Sequence, residues 1–198
     1  MKQSAYSIKY LVILWITGCL VLTACNARVG DQNMEIENKS EHWKQQLSEK
    51  LPLLGHRNWI LVVDKAFPEQ NSVGMEYIYA NEDLVPVLKQ VLAQVNQSGH
   101  VKPIIYQDKE LNFITEKQAR GIVQFRTNVK EVLGKQKVQT LFHDSVFKKL
   151  DVEGKLFKVL VIKTDEVIPY TSVFLQLDCA YWNSDKEREL RTILNTHK

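Results

Sequence analysis

A histidine and an aspartate eight residues apart are the pair in this chain best suited to proton chemistry. They lie in Leu54-Gly55-His56-Arg57-Asn58-Trp59-Ile60-Leu61-Val62-Val63-Asp64-Lys65-Ala66-Phe67-Pro68. An imidazole titrates near neutrality and can give or take a proton in water. A carboxylate accepts hydrogen bonds from hydroxyl groups. The run Trp59 to Val63 between them is β-branched and aromatic, which predicts a buried strand. Asp64 then falls at the strand's carboxyl end, where α/β sheets bind ligands. His56 falls in the turn before the strand, so the two need not share a pocket within one subunit. Gly55 gives that turn a backbone freedom closed to other residues. The plainer alternative is a turn histidine and a strand-end aspartate that caps the next loop.

Other chemistry is poorly supported. His42, His56, His100, His143 and His197 show no i,i+4 or CxxC-type ligand spacing, so no metal is expected. Neither GxGxxG nor GxxxxGK[ST] occurs, and no cofactor is expected. Cys19 lies in the N-terminal apolar run. Cys179 ends an apolar strand pattern and reads as a small buried filler with nothing beside it to activate a thiol.

The elements that must position His56 and Asp64 alternate between helix and strand. Residues 42–54 read as a first helix, Trp59–Asp64 as the first strand and Glu76–Ala80 as the second. Asn81 caps a helix running to about Gln97. Val101–Tyr106 follows as a strand, and Thr115-Glu116-Lys117-Gln118 is a capping box for a helix ended by Gly134. Lys137–Phe142, a short helix Ser145–Leu150, Leu156–Lys163 and a strand Tyr170–Asp178 complete the rhythm. Ser184-Asp185-Lys186-Glu187 opens a final helix. This predicts a single α/β domain of three-layer type with a largely parallel sheet. The rhythm is Rossmann-like without a dinucleotide motif, with an extra C-terminal helix at 183–198.

The first block resembles the D-ribose pyranase and L-fucose mutarotase family. That family carries Leu/Met-Gly-His, an Asp eight residues after the His and a Pro four residues after the Asp, matched by Leu54-Gly55-His56, Asp64 and Pro68. Phe142-His143-Asp144-Ser145-Val146-Phe147 is similar to its Thr-His-Glu-Gln-Phe segment. Tyr170-Thr171-Ser172-Val173-Phe174-Leu175 is similar to its Tyr-Ala/Gly-Asn segment and following strand. The blocks keep the family's order, so the resemblance spans about 42–182.

The resemblance implies a monosaccharide isomerase that opens and recloses a cyclic hemiacetal, with His56 as catalytic acid/base. Asp64, His143, Tyr170 and Ser172 would bind the sugar. It also implies a homo-oligomer, decameric as in the family, with active sites at subunit contacts; the apolar Tyr181-Trp182 is a candidate contact. Asn58 stands where the family has an Asp two residues after the His, which removes a possible partner of His56. Ser172 stands in place of an Asn, and Thr164–Pro169 lacks the family's Gly-Glu, so ribose or fucose preference does not transfer. His143 has the alternative of merely capping the helix after it, and Tyr170 that of an ordinary aromatic at a strand start.

At the N-terminus Lys2 and Lys9 precede the apolar run Tyr10 to Ala24, too short for a comfortable membrane span. The run closes on Leu22-Thr23-Ala24-Cys25, which is similar to a bacterial lipobox. Residues 1–24 then read as a lipoprotein signal peptide, Cys25 as the lipidated residue and 25–41 as a polar tether. The expected location is a bacterial membrane-anchored lipoprotein on the periplasmic or outer-membrane side. Beyond residue 24 the chain keeps 24 basic and 23 acidic residues, which gives no electrostatic case for nucleic acid. Two functions follow: a sugar mutarotase or pyranase, or a non-catalytic saccharide-binding or transport-accessory lipoprotein.

Overall fold

Five consecutive buried side chains, Trp59–Val63, form the central strand β1 of the computed structural model, which describes residues 41–197. Trp59, Leu61 and Val63 face a core shared with Phe67, Tyr106, Val146, Leu150 and Phe174. Ile60 and Val62 face the other way, toward Trp43, Leu47, Leu88, Val91 and Phe125. A strand covered on both faces needs no polar alternation, which is why its sequence is uninterruptedly apolar.

Helix α1 (41–50) runs into a 3₁₀ turn, Leu51–Leu53, and then β1. Next come β2 (Met75–Tyr79), α2 (Leu84–Gln97) and β3 (Val101–Asp108). A 3₁₀ turn, Lys109–Asn112, leads to α3 (Ile122–Leu133), β4 (Val138–Leu141) and α4 (His143–Glu153). The chain ends with β5 (Val159–Lys163), β6 (Val173–Cys179) and α5 (Ser184–Thr196). The strands lie in the order β2-β5-β1-β6-β3-β4. β6 runs antiparallel to both its neighbours, and every other pairing is parallel. The sheet is therefore mixed, mostly parallel, with α1, α2 and α3 packed on one face and α4 on the other. That is the expected three-layer α/β domain, and from His42 onward the chain forms one compact unit.

Several element starts differ from the sequence expectation. Thr115 and Gln118 do hydrogen-bond at 2.7 Å, but they close only a turn. Gly121 at φ 89° breaks the path, and α3 starts at Ile122. The Glu116 carboxylate accepts the N–H groups of Gly121 and Val123, two donors that a helix's first turn leaves unpaired. Asn81 sits in the left-handed region at φ 54°, and Asp83 is the residue flanking α2. α5 is capped by Asn183, not Ser184: the Asn183 side chain accepts the Lys186 N–H at 2.9 Å. Cys179, expected as a buried filler, is half-buried at the end of β6.

No residue of α5 is buried, so this added helix contributes nothing to the domain core. Among the described residues no helix is long and apolar enough to cross a membrane. The signal-like segment, Cys25 and the tether up to residue 40 lie outside the described residues.

Candidate active site

The parallel strands aim their carboxyl ends at one edge of the sheet, and β6 enters the sheet from that same edge. Val173 of β6 pairs with Val62 on one side and Gln107 on the other. One step further out, Ser172 lies between the ends of β1 and β3, flanked by Asp64 and Asp108. With strands about 4.8 Å apart, the two acidic positions are separated by about 10 Å of backbone. The chain leaves β1 toward β2 on one side and β3 toward β4 on the other, so this edge is a topological switch point, the usual place for a ligand cleft.

Asp64 is held by its own loop and by Ser172. Its Oδ1 accepts the Ala66 N–H at 3.0 Å, and its Oδ2 accepts the Ser172 hydroxyl at 2.9 Å. The Ser172 Oγ in turn accepts the Asp64 N–H at 3.2 Å. Asp64 therefore does cap its loop, and it does so at the ligand edge. Ser172 is 2% exposed, and its hydroxyl is committed to the aspartate. Where the resembled family has an Asn reaching toward sugar, this chain has a residue that fixes the Asp64 carboxylate.

His143 is the first residue of α4, and its side chain does not cap the helix. The Glu110 carboxylate covers that end instead, accepting the His143 N–H at 3.1 Å from both oxygens. The His143 imidazole turns inward, with Nδ1 2.8 Å from Oδ2 of Asp108. Asp108 is completely buried, and its Oδ1 has no hydrogen-bond partner. Burial pushes its carboxyl up to about 6, against the hydrogen bond and charge of His143, with the nearby carboxylates of Glu110 and Asp64 adding to the rise.

The remaining neighbours of the His143 ring are aromatic. Tyr170 meets the His143 ring edge-on, with centroids 5.1 Å apart, and Phe147 lies 4.7 Å from the same ring. Tyr170 is not in the strand, as the sequence suggested; it precedes β6 in a turn at φ 59° and is 37% exposed. A non-glycine residue held there carries strain of about 1–3 kcal/mol. The buried Thr171 hydroxyl donates to the Ile168 carbonyl at 2.7 Å and pins the turn. Asp64, Ser172, His143 and Tyr170 thus gather at one edge, which brings carboxylate, imidazole and aromatic ring together.

His56 lies at the other edge. The five residues of β1 separate it from Asp64, about 16 Å at 3.3 Å per residue. Within one chain His56 therefore does not join the other four residues. Its side chain is 62% exposed, and Nδ1 is 3.0 Å from Oδ1 of Asp178 on β6. Asn58 serves the turn instead, accepting the Gly55 N–H at 2.7 Å. The charge that Asn58 lacks beside His56 is supplied by Asp178, which also pairs with Lys102 at 3.4 Å. Burial would raise the Asp178 carboxyl, but the Cys179 N–H, Lys102 and His56 outweigh it and hold it below the usual range.

Sequence reasoning missed Asp108, Glu110 and Asp178. For Asp108 a signal existed: like Asp64, it is a carboxylate closing an apolar strand at the carboxyl end, in Ile104-Ile105-Tyr106-Gln107-Asp108. Among the described residues no group of three or more His, Cys, Asp or Glu could hold a metal ion.

An α/β sandwich with carboxylate, imidazole and aromatic side chains gathered at its switch point is the class of protein defined by this fold and site. Residues 37–179 match the model of the RbsD / FucU transport protein family, and the chain belongs to that family. The match stops before α5, which is therefore an addition to the family domain. Among solved structures, the chain is similar to Bacillus subtilis RbsD complexed with D-ribose, at 23% identity and TM-score 0.45, covering 66% of this chain and 89% of that one. It is similar to FucU from Bifidobacterium longum at 18% identity and TM-score 0.46, covering 67% and 92% respectively. It is similar to the fucose mutarotase of Streptococcus pneumoniae, in complex with L-fucose, at 15% identity and TM-score 0.46, covering 66% and 89%. A search of curated proteins gave no match.

Proposed function

We propose that this protein interconverts the cyclic forms of a reducing monosaccharide by proton transfer. The observation that carries the reading is the gathering of Asp64, His143 and Tyr170 at the carboxyl edge, in a chain of this family. Ring opening requires a proton removed from the anomeric hydroxyl and one delivered to the ring oxygen. Reclosure on the other face of the carbonyl reverses both transfers, so no redox step or carbon–carbon bond change is involved. The Asp64 carboxylate accepts hydrogen bonds from sugar hydroxyls and fixes the ring, held rigid by Ser172 and Ala66. Tyr170 supplies an apolar wall for the C–H face. His56, exposed at the far edge, acts as acid/base in the site of a neighbouring copy, so the functional unit is a homo-oligomer.

The second reading is a non-catalytic saccharide-binding or transport-accessory protein. The commitment of both Asp64 oxygens and of the Ser172 hydroxyl to protein partners favours it, because fewer groups remain free to act on a sugar. Saturation-transfer NMR with ribose, fucose, galactose and glucose separates the two. Catalysed anomer exchange in any of them supports the isomerase, and binding without exchange supports the second reading. The N-terminal sequence supports export and lipidation at Cys25, with action outside the inner membrane. Metabolic labelling with a fatty acid that survives in wild type and is lost in Cys25→Ser tests that placement.

A further inference from the structure

Proton transfer to a ring oxygen and from an anomeric hydroxyl needs two groups, and His56 is only one. The carboxyl edge contains a second imidazole whose setting is unlike that of any other histidine among the described residues. His143 Nδ1 is 2.8 Å from a carboxylate oxygen that is completely buried. His56 has a half-buried partner, and both His100 nitrogens face backbone carbonyls, at 3.2 Å from Ser98 and 3.0 Å from Leu54. Because an ionised carboxylate only accepts hydrogen bonds, Nδ1 must carry the proton. Nε2 is then the nitrogen left for a ligand.

We propose that Asp108 is a positioning residue that fixes His143 with Nδ1–H bound to Oδ2 and Nε2 turned to the sugar, making His143 the second proton-transfer group of the site. The inference rests on the isomerase reading given above. In the opening step the doubly protonated His143 ring, its Nδ1–H held by Asp108, gives its Nε2 proton to the ring oxygen as the bond from that oxygen to the anomeric carbon breaks. The anomeric hydroxyl proton passes to His56, and the open-chain carbonyl forms. After rotation of the carbonyl, His56 returns its proton to the carbonyl oxygen, the hydroxyl re-adds to the carbon, and its proton returns to His143 Nε2. The protein ends as it began.

The surroundings suit that role. The groups facing Asp108 are His143 from α4, Glu110 from the 3₁₀ turn and Asp64 at the end of β1. Two of the three are carboxylates, and the buried Oδ1 has no donor to support its charge. Burial raises the Asp108 carboxyl to about 6, against the hydrogen bond and charge of His143. Ring contacts from Tyr170 and Phe147 restrict the imidazole to this orientation. The Glu110 carboxylate, accepting the His143 N–H, anchors the helix end from which the imidazole extends.

The test combines Asp108→Asn and His143→Gln in the full chain, with two readouts. ¹⁵N NMR of the imidazole ring reports the tautomer without turnover. In its neutral state, the one left after the Nε2 proton is given up, wild-type His143 is expected as the Nδ1–H form, and Asp108→Asn, whose amide can also donate, is expected to admit the Nε2–H form. Anomer exchange should fall about 10–100-fold in Asp108→Asn, as for removal of a ligand's orienting partner, and about 10²–10⁴-fold in His143→Gln. The alkaline limb of the Asp108→Asn rate profile should move to lower pH, because a carboxylate neighbour favours the protonated ring. A wild-type Nε2–H tautomer, or exchange and pH profile unchanged in Asp108→Asn, would overturn the proposal. A wild type that exchanges no sugar overturns the isomerase reading and the proton-transfer role with it. The tautomer measurement still decides whether Asp108 sets the ring.

Discussion

Each edge of the sheet holds a histidine against an aspartate through Nδ1, at 2.8 Å for His143–Asp108 and 3.0 Å for His56–Asp178. The two aspartates nevertheless titrate in opposite directions. Asp108 is buried with a single donor, and its carboxyl is pushed up to about 6. Asp178 lies at the surface with an N–H, a lysine and a histidine around it, and its carboxyl is held down. Identical residue pairs thus do different things because solvation and donor count differ. The buried pair holds its imidazole against a desolvated carboxyl, whereas the exposed pair orients a ring that remains open to another molecule.

The largest expected effect comes from the exposed pair. His56→Ala should reduce anomer exchange by about 10²–10⁴-fold, the usual worth of acid/base catalysis. Circular dichroism and the unfolding midpoint should be unchanged, since the side chain is mostly exposed and has one polar contact. Exchange at the wild-type rate for every sugar that exchanges would remove His56 from the chemistry.

The buried pair should dominate the pH dependence of stability. A carboxyl raised from 3.8 to about 6 favours the fold most below the unfolded value, and that contribution is lost as pH rises through about 6. The loss amounts to about 3 kcal/mol at 1.36 kcal/mol per pH unit. Asp108→Asn should flatten this decline, so its urea midpoint exceeds that of the wild type above about pH 7 and the gap closes near pH 4. Equal midpoints for the two proteins at all pH values would mean that Asp108 is not under strain.

Asp178→Asn sharpens the comparison from the other side, with the smallest effect. A lowered carboxyl stabilises the fold above its unfolded value, and that contribution is lost as pH falls through the folded one. The side chain is 30% exposed and screened by solvent, so the substitution should cost under about 1 kcal/mol at neutral pH. The deficit should disappear in acid. A cost as large as that expected at Asp108 would show that the two edges are not energetically distinct.

Much of this architecture is legible in local sequence. Trp59–Val63 announces itself as a strand because both its faces are buried, and α2 because Leu84, Leu88, Val91 and Val95 recur at helical spacing. The antiparallel course of β6 was not legible, since its apolar pattern is the same in either direction. The start of α3 was misread because the Thr115–Gln118 bond imitates a helix cap, while Gly121 breaks the backbone six residues later. Of the site, Asp64, His143, Tyr170 and Ser172 could be read as a set, but not what holds them. The His143–Asp108 contact joins residues 35 apart, brought together by the parallel pairing of β3 with β4, and no local pattern encodes it. Asn58 looked like a lost partner of His56, and only the register of β1 against β6 reveals Asp178 as its replacement.

On the proposed function, His56 at one edge and Asp64 at the other belong to one catalytic site built between copies of the chain. Mixing variants tests it most directly. His56→Ala and Asp64→Asn, each impaired alone, are unfolded together, refolded in equal amounts and assayed for anomer exchange. If each site takes Asp64 from one copy and the partner subunit's His56, roughly a quarter of the sites in random mixed oligomers regain both groups. Exchange should then recover to about that fraction of the wild-type rate. Mixed oligomers no more active than the two variants measured separately would contradict the account.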